Sequence, residues 1–329
     1  MVSQNIQSRT IPDLSVIVPV YNESTGNLER LIERLDAVLS KTTISFELIF
    51  VDDGSNELTA KFVREIPTKY PDIDLKAVIL SRNFGEQAAI CAGLANSVGR
   101  ATVNLDSDLQ DPPEMIPEMF KCFSDGFEVV YTAQIDRSDS ALRLVLTNFY
   151  YWLLHKFSPV AIKHAGEFRL LSRRAAQTII DLPERAVFLR YLIPFVGFKQ
   201  MTINFKRGQR IDGQSSYTFT RLLKVGVQGM VTSTSAPLVM MPMTALIICL
   251  AIGVTMFFMM IVNPGAINHH IEFLSGWCFA VLNLCCFAVM ALYLSALLTE
   301  VRARPKYIVA DIIQNRLSKS QPGVSPVRT

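Results

Sequence analysis

Over the first 135 residues, short β-branched runs alternate with longer amphipathic stretches. The segments LSVIVPV (14–20), FELIFV (46–51), LKAVIL from Leu75, ATVNL from Ala101 and FEVVYT from Phe127 read as strands. Between the first two, Leu28, Leu31, Ile32, Leu35, Val38 and Leu39 recur at i, i+3, i+4 and i+7 spacing, which predicts a helix with one apolar face. Further helices are expected over residues 58–70, 86–98 and 114–123. Such alternation implies an α/β fold, a mostly parallel sheet with helices on both faces. The pattern changes toward the C-terminus. Residues 237–262 and 273–298 contain no charge, and each run is about 26 residues long against the roughly 20 that cross a bilayer as a helix. Two transmembrane helices are predicted.

Composition narrows the picture. Half of the 329 residues are hydrophobic and 19% are charged, the reverse of a disordered composition. Lys plus Arg number 32 against 29 Asp plus Glu, and a net charge of +3 excludes a strongly basic nucleic-acid-binding domain. The six cysteines (Cys91, Cys122, Cys249, Cys278, Cys285, Cys286) form no CxxC and read as small buried apolar groups. Residues 263–272, between the two apolar runs, hold no Lys or Arg. Arg221 and Lys224 precede the first run, and Arg302, Arg304, Lys306, Arg316 and Lys319 follow the second. The positive-inside rule therefore puts both termini in the cytoplasm and makes this a multi-pass protein of the inner (plasma) membrane. Residues 1–13 are polar and lack the apolar core of a signal peptide. Residues 300–329, with six cations and two acids, read as a basic tail attracted to anionic lipid.

The chemistry is expected where strands end. Pro19, Tyr21 and Glu23 follow the first strand, Asp52 and Asp53 the second, Arg82 the third, and Asp106-Ser107-Asp108 the fourth. In an open α/β sheet those ends line one crevice, where ligands bind. Carboxylates converging on one rim repel each other unless a cation sits among them, so a hard divalent ion is the natural guest. Asp106 and Asp108 could reach one Mg²⁺ or Mn²⁺ directly or through water. An isolated DxD more often begins a turn. Here it ends a strand among three other polar strand ends, which favours the metal. No GxGxxG and no GxxxxGK[ST] is present, which removes the dinucleotide and P-loop readings.

Together VIVPVYNE, FVDDGS, LSRNFGEQAAICAGL, LDSDLQDPP and EFRLLSRR resemble the family 2 glycosyltransferases of GT-A fold. Among these the chain is most similar to the polyprenyl-phosphate hexosyltransferases, which include dolichyl-phosphate-mannose synthase and the GtrB proteins. The resemblance implies transfer of a sugar from a nucleotide diphosphate, with UDP-hexose (UDP-glucose) favoured, to undecaprenyl or another polyprenyl phosphate at the cytoplasmic face. It also implies a homo-oligomer. It assigns Pro19, Tyr21, Glu23, Asp52, Asp53, Arg82 and Asp106 to the nucleotide, and Asp106, Asp108 and Gln110 to the metal and diphosphate. The chain then divides into a nucleotide-sugar-binding core (1–135), an acceptor-side juxtamembrane region (136–235), a transmembrane hairpin (236–299) and a cytoplasmic tail (300–329).

Two departures from the family pattern stand out. Glu167 replaces the Asp of the GDFRL segment, and Ser216 stands where a basic residue is expected near the acceptor. The apolar, aromatic segment around residues 142–154 and a second one over 218–231 suggest interfacial helices. Arg137, Arg143, Arg169 and Arg210 flank these segments and the GEFRLL motif, and are the candidate ligands of the acceptor phosphate. The expected reaction is a single inverting displacement. A phosphate monoester is largely ionised at neutral pH, so Asp108 or Glu167 is a candidate base that the chemistry does not require. A processive polysaccharide synthase would carry QxxRW, which is absent here. A transferase with another acceptor, or a non-catalytic membrane adaptor that keeps the fold, completes the set of readings, and the intact DxD argues against the adaptor.

Overall fold

The computed structural model describes residues 11–134, 167–185, 187–205, 227, 229–231, 234–262 and 269–315. Strands β1 (Leu14–Val20), β2 (Phe46–Asp52), β3 (Leu75–Leu80) and β4 (Ala101–Asn104) are mutually parallel, in the order β4-β1-β2-β3. Helices α1 (Thr25–Leu39), α2 (Glu57–Lys69) and α3 (Glu86–Asn96) connect them. A 3₁₀ turn (Pro113–Met115) and α4 (Ile116–Ser124) then lead into β5 (Val129–Gln134). The apolar positions decide this arrangement. Leu28, Leu31, Ile32, Leu35 and Leu39 of α1 are buried at helical spacing, and Ser24 caps the helix by accepting from the amide of Asn27. The strands are buried on both faces. Val16, Val18 and Val20 pack into the layer of α1 and α2, whereas Ile17, Ile49 and Val78 pack into the layer of α3. Two-sided burial is why these strands read as continuous apolar runs rather than as alternating ones.

Two features differ from the sequence reading. Among the described residues the sheet has eight strands, in the order β7 (Gln200–Phe205), β5, β6 (Arg169–Ser172), β4, β1, β2, β3, β8 (Val309–Asn315), so it extends beyond residue 135 on one edge and far beyond it on the other. β6 (Arg169–Ser172) enters antiparallel between β4 and β5 and is followed by α5 (Arg173–Asp181), α6 (Leu189–Phe195) and β7 (Gln200–Phe205). At the far edge, β8 (Val309–Asn315) pairs antiparallel with β3. Residues 300–329 are thus no mere basic tail, because their first half completes the sheet. Arg64 pairs with Asp311 at 2.8 Å, and Asn315 Oδ1 accepts from the amide of Leu75 at 2.9 Å.

Between these parts lie α7 (Ala236–Val262) and α8 (His269–Arg302). Both are long and apolar enough to cross a membrane, over 24 and 30 residues. Their Leu, Phe and Met side chains point outward, unburied by protein. Tyr293 Oη ties the pair by donating to the carbonyl of Thr234 at 2.6 Å. The last turn of α8 is fastened to the sheet domain. Both carboxylate oxygens of Glu300 accept from the amide of Arg185, at 2.8 and 3.1 Å, and Lys306 Nζ donates to the carbonyl of Leu182 at 2.9 Å, just past α5.

Candidate functional site

Because β1 to β4 run parallel, the chain leaves all four at the same edge, and the loops there are sewn together. Asn22, in a left-handed conformation (φ 54°), donates its amide to Ser55 Oγ at 3.0 Å and accepts from the amide of Asn56 at 2.7 Å. Asp52 Oδ1 accepts from the amide of Ser55 at 3.1 Å. Asp53 is buried, and its two oxygens accept from the amides of Phe84 and Gly85 at 2.7 and 2.8 Å. Burial raises its pKa, against the opposing pull of those two amides. Asp52 and Asp53 therefore brace the loops after β2 and β3. Gly54 (φ 69°) lets those loops touch, since a Cβ there would lie 2.4 Å from the carbonyl carbon of Arg82. Arg82 is exposed and lies over the Phe84 ring at 4.1 Å. Tyr21 is exposed too. Glu23 accepts from Asn27 Nδ2 at 2.9 Å, and Pro19 is half-buried at the end of β1.

At the end of β4, Asp106 and Asp108 stand on either side of Ser107. Asp108 Oδ1 accepts from the amide of Gln110 at 3.1 Å, across Leu109, which is left-handed at φ 61°. That backbone is unusual for a leucine and folds the DSDLQD segment back on itself. Burial pushes the Asp106 carboxyl well above the usual carboxylate range, and the negative charges of Asp111, Glu86, Asp108 and Glu167 push it further. Gln110 is buried, and its Nε2 has no hydrogen-bond partner among the described residues. A crowded carboxylate and an orphaned amide donor are what a divalent cation with a bound diphosphate would satisfy. Two Asp side chains, with phosphate oxygens and water completing the shell, suit Mg²⁺ or Mn²⁺. Among the described residues no cluster of three or more His, Cys, Asp or Glu is arranged to hold a metal by itself.

Glu167 lies beside this centre. Asn104 Nδ2 donates to its main-chain oxygen, Arg169 Nη2 pairs with its carboxylate, and Arg190 Nε donates to Oε1 at 2.6 Å. Gln87 joins the same group, with Nε2 3.5 Å from Glu167 Oε2 and Oε1 accepting from the amide of Leu189 at 3.1 Å. Burial raises the pKa of Glu167, but the charges of Arg169 and Arg190 outweigh it and leave the net shift downward. Glu167 is thus an ion-paired carboxylate, which makes it a poor base. Arg169 is 0% exposed on β6, opposite Asn104 and Tyr131. Its Nε and Nη1 have no partner among the described residues, nor has Tyr131 Oη. The sequence reading placed Arg169 at the acceptor; the structure walls it inside the sheet. Arg137, Arg143 and Arg210, and the segments over 142–154 and 218–226, lie outside the described residues. Gln87, Asp111 and Arg190 were missed. The first two sit inside the NFGEQAAI and DLQDPP motifs, where neighbouring polar residues could have flagged them. Arg190 carries no motif signal, because only the docking of α6 brings it to Glu167.

Known proteins resemble this chain. The model of glycosyl transferase family 2 matches residues 15–187, which span β1 through α5. An uncharacterized glycosyltransferase of Synechocystis is 32% identical over 91% of this chain and 95% of its own length. The undecaprenyl-phosphate 4-deoxy-4-formamido-L-arabinose transferase of Pectobacterium atrosepticum is 30% identical over 92% of this chain and 94% of its own. Among solved structures, the glucosyl-3-phosphoglycerate synthase of Mycobacterium tuberculosis, in complex with Mn²⁺ and UDP-glucose, superposes with a TM-score of 0.46 at 18% identity. That match covers 67% of this chain and 77% of the synthase. A parallel sheet whose strand ends carry VDDGS and DSD, matched by the family model across more than half of the chain, makes this protein a glycosyltransferase of family 2 with the GT-A fold.

Proposed function

We propose that this glycosyltransferase moves a hexose from a nucleotide diphosphate sugar, UDP-glucose being the favoured donor, to undecaprenyl or another polyprenyl phosphate at the cytoplasmic face of the membrane. The observation that carries the reading is the tie between the strand-end site and the membrane hairpin. Glu300, in the last turn of an apolar span, holds the amide of Arg185, and the α6 segment that follows reaches Glu167. A site so close to the bilayer suits an acceptor whose head emerges from it. The name of the Pectobacterium relative points the same way.

In this reading Pro19, Tyr21 and Glu23 border the base and ribose, with Asp52, Asp53 and Arg82 bracing the loops around them. Asp106 and Asp108 hold Mg²⁺ or Mn²⁺, and Gln110 supplies a donor to the diphosphate. The ion, when bound, stabilises the charge left on the departing nucleotide diphosphate. Glu167, kept ionised by Arg169 and Arg190, shapes the wall beside the sugar. The acceptor phosphate, with a second pKa of about 6, attacks the anomeric carbon without a strong base and inverts it. Arg137, Arg143 and Arg210 remain the proposed cations of the acceptor region, and assembly as a homo-oligomer belongs to the same proposal. The test is incubation of purified protein with Mg²⁺, undecaprenyl phosphate and a panel of radiolabelled nucleotide sugars. Label from UDP-glucose entering the lipid phase, and absent with a chelator, supports the reading. Absence of lipid-borne label from every donor would refute it.

A further inference from the structure

Between Phe273 and Leu298 the second span carries no charge and a single carboxamide, Asn283. Ten residues in from Phe273, it lies about 15 Å from that end of the span, near the middle of a hydrocarbon layer roughly 30 Å thick. Its Nδ2 donates to the carbonyl of Phe279 at 2.9 Å, within the same helix. The second N–H of the amide and its Oδ1 have no partner among the described residues. Neither water nor a lipid headgroup reaches that depth, so leaving them unpaired is costly. The packing of α8 on α7 does not serve them. Tyr293, which ties the hairpin to the carbonyl of Thr234, is about 80° round the helix from Asn283.

Asn283 instead belongs to a seam that nothing in the described residues covers. Gly276, Ala280, Asn283, Phe287, Met290 and Leu294 recur at alternating spacings of four and three, the repeat along which helices pack side by side. Phe287, Met290 and Leu294 are each more than half exposed, and a Cβ at Gly276 would meet open space. Small residues such as Gly276 and Ala280 let a second helix backbone come close.

We infer that this face of α8 packs against the same face of a second copy of the chain, with the two Asn283 amides hydrogen-bonded to each other across a two-fold axis. Copies inserted in one orientation carry Asn283 at the same depth, so the two side chains meet when the helices lie together. A carboxamide is self-complementary. Each Oδ1 accepts from the free N–H of the other amide, and the bond to Phe279 is kept. A different membrane protein would have to match that depth by coincidence, whereas a copy matches it by construction. In seams of this period one buried polar residue also fixes the register of the pair. The inference names the surface of the proposed homo-oligomer and rests on that reading and on the two-span hairpin; it does not depend on the donor or the acceptor.

The experiment labels two batches of full-length protein with donor and acceptor fluorophores, reconstitutes them together in phosphatidylcholine liposomes and follows energy transfer as the protein-to-lipid ratio is varied. Asn283→Leu is expected to weaken association by about fivefold or more, the size of a lost interhelical hydrogen-bonded pair. Asn283→Gln, which keeps the carboxamide, should retain most of it. Gly276→Leu, on the same seam, should weaken it as well. Leu292→Ala, exposed on the opposite side of α8, should leave it unchanged. Association of Asn283→Leu at the wild-type level overturns the inference and leaves the homo-oligomer standing. An equal loss in Asn283→Gln also overturns it, because the amide pair would not be what holds the copies. So does an equal loss in Leu292→Ala, which would put the contact on another face. A wild-type protein that shows no energy transfer at any ratio refutes the homo-oligomer itself, and the inference with it; sugar transfer by that protein would leave the catalytic reading intact.

Discussion

Replacing Gly54 with alanine forces apart the two loops that follow β2 and β3 at the strand-end crevice. The new methyl group would lie 2.4 Å from the carbonyl carbon of Arg82 and 2.5 Å from the amide nitrogen of Asn83. Both are backbone atoms, so no rotamer change relieves the clash. Ordinary contact begins near 3.4 Å, and the loops must separate by about 1 Å. The backbone at φ 69° adds about 1 kcal/mol or more for a residue with a Cβ. Overpacking of a tight contact adds about 1–3 kcal/mol. The expected destabilisation is about 2–4 kcal/mol, a drop in melting temperature of roughly 5–15 °C. The same displacement strains the hold of Asp53 on Phe84 and Gly85, and misplacement by about 1 Å can cost on the order of a hundredfold in rate. Melting curves and turnover of the detergent-purified protein measure both effects. Two other glycines separate the causes. Gly126→Ala meets nothing within 4 Å but shares a positive φ of 89°, so it carries the backbone cost alone, about 1–2 kcal/mol. Gly26→Ala, inside α1 with open space around it, should be neutral or slightly stabilising. If Gly54→Ala melts no lower than Gly126→Ala and turns over normally, the loop contact does not position the site.

Three further expectations follow from the geometry. Asp106→Asn removes a carboxylate held under burial and like-charge repulsion, so the metal-free protein should melt at the same or a higher temperature, while Asp106→Ala and Asp108→Ala each lose about a hundredfold or more in transfer; near-normal turnover at saturating metal would sink the assignment. A thiol placed at Asn268 should be labelled from outside intact cells and one placed at Ser318 or Ser3 should not, because the cations flank the other ends of the two spans; outside labelling of Ser318 would overturn the cytoplasmic site. The pKa of Glu167 is held down in the folded state, so its carboxylate stays charged above the ordinary glutamate range, and the stabilisation it provides is lost only as pH falls through that lowered value. Glu167→Gln should therefore lower kcat/KM in parallel across about pH 6 to 8, and disappearance of an ionisation in that window would identify Glu167 as the base.

What the sequence determined by itself is local in cause. The strands β1 to β4 were legible because burial on both faces requires unbroken apolar runs, and α1 because Leu28, Leu31, Ile32, Leu35 and Leu39 repeat with the helical period. The spans were legible because crossing a hydrocarbon layer requires length without charge. That polar residues gather at the strand ends followed from the parallel order alone. The tertiary structure decided what each polar residue touches. Asp53 was expected at the nucleotide, and only the fold shows that its carboxylate also holds the amides of Phe84 and Gly85, some thirty residues along the chain. Arg169 was expected at the acceptor phosphate, yet it occupies a buried strand position between β4 and β5, paired with Glu167. β8 lay within a cationic tail whose composition suggested lipid contact, and only the open edge of β3 made it a strand. Arg190 reaches Glu167 because Gln87, about a hundred residues earlier in the chain, holds the start of α6, a contact that no local pattern encodes.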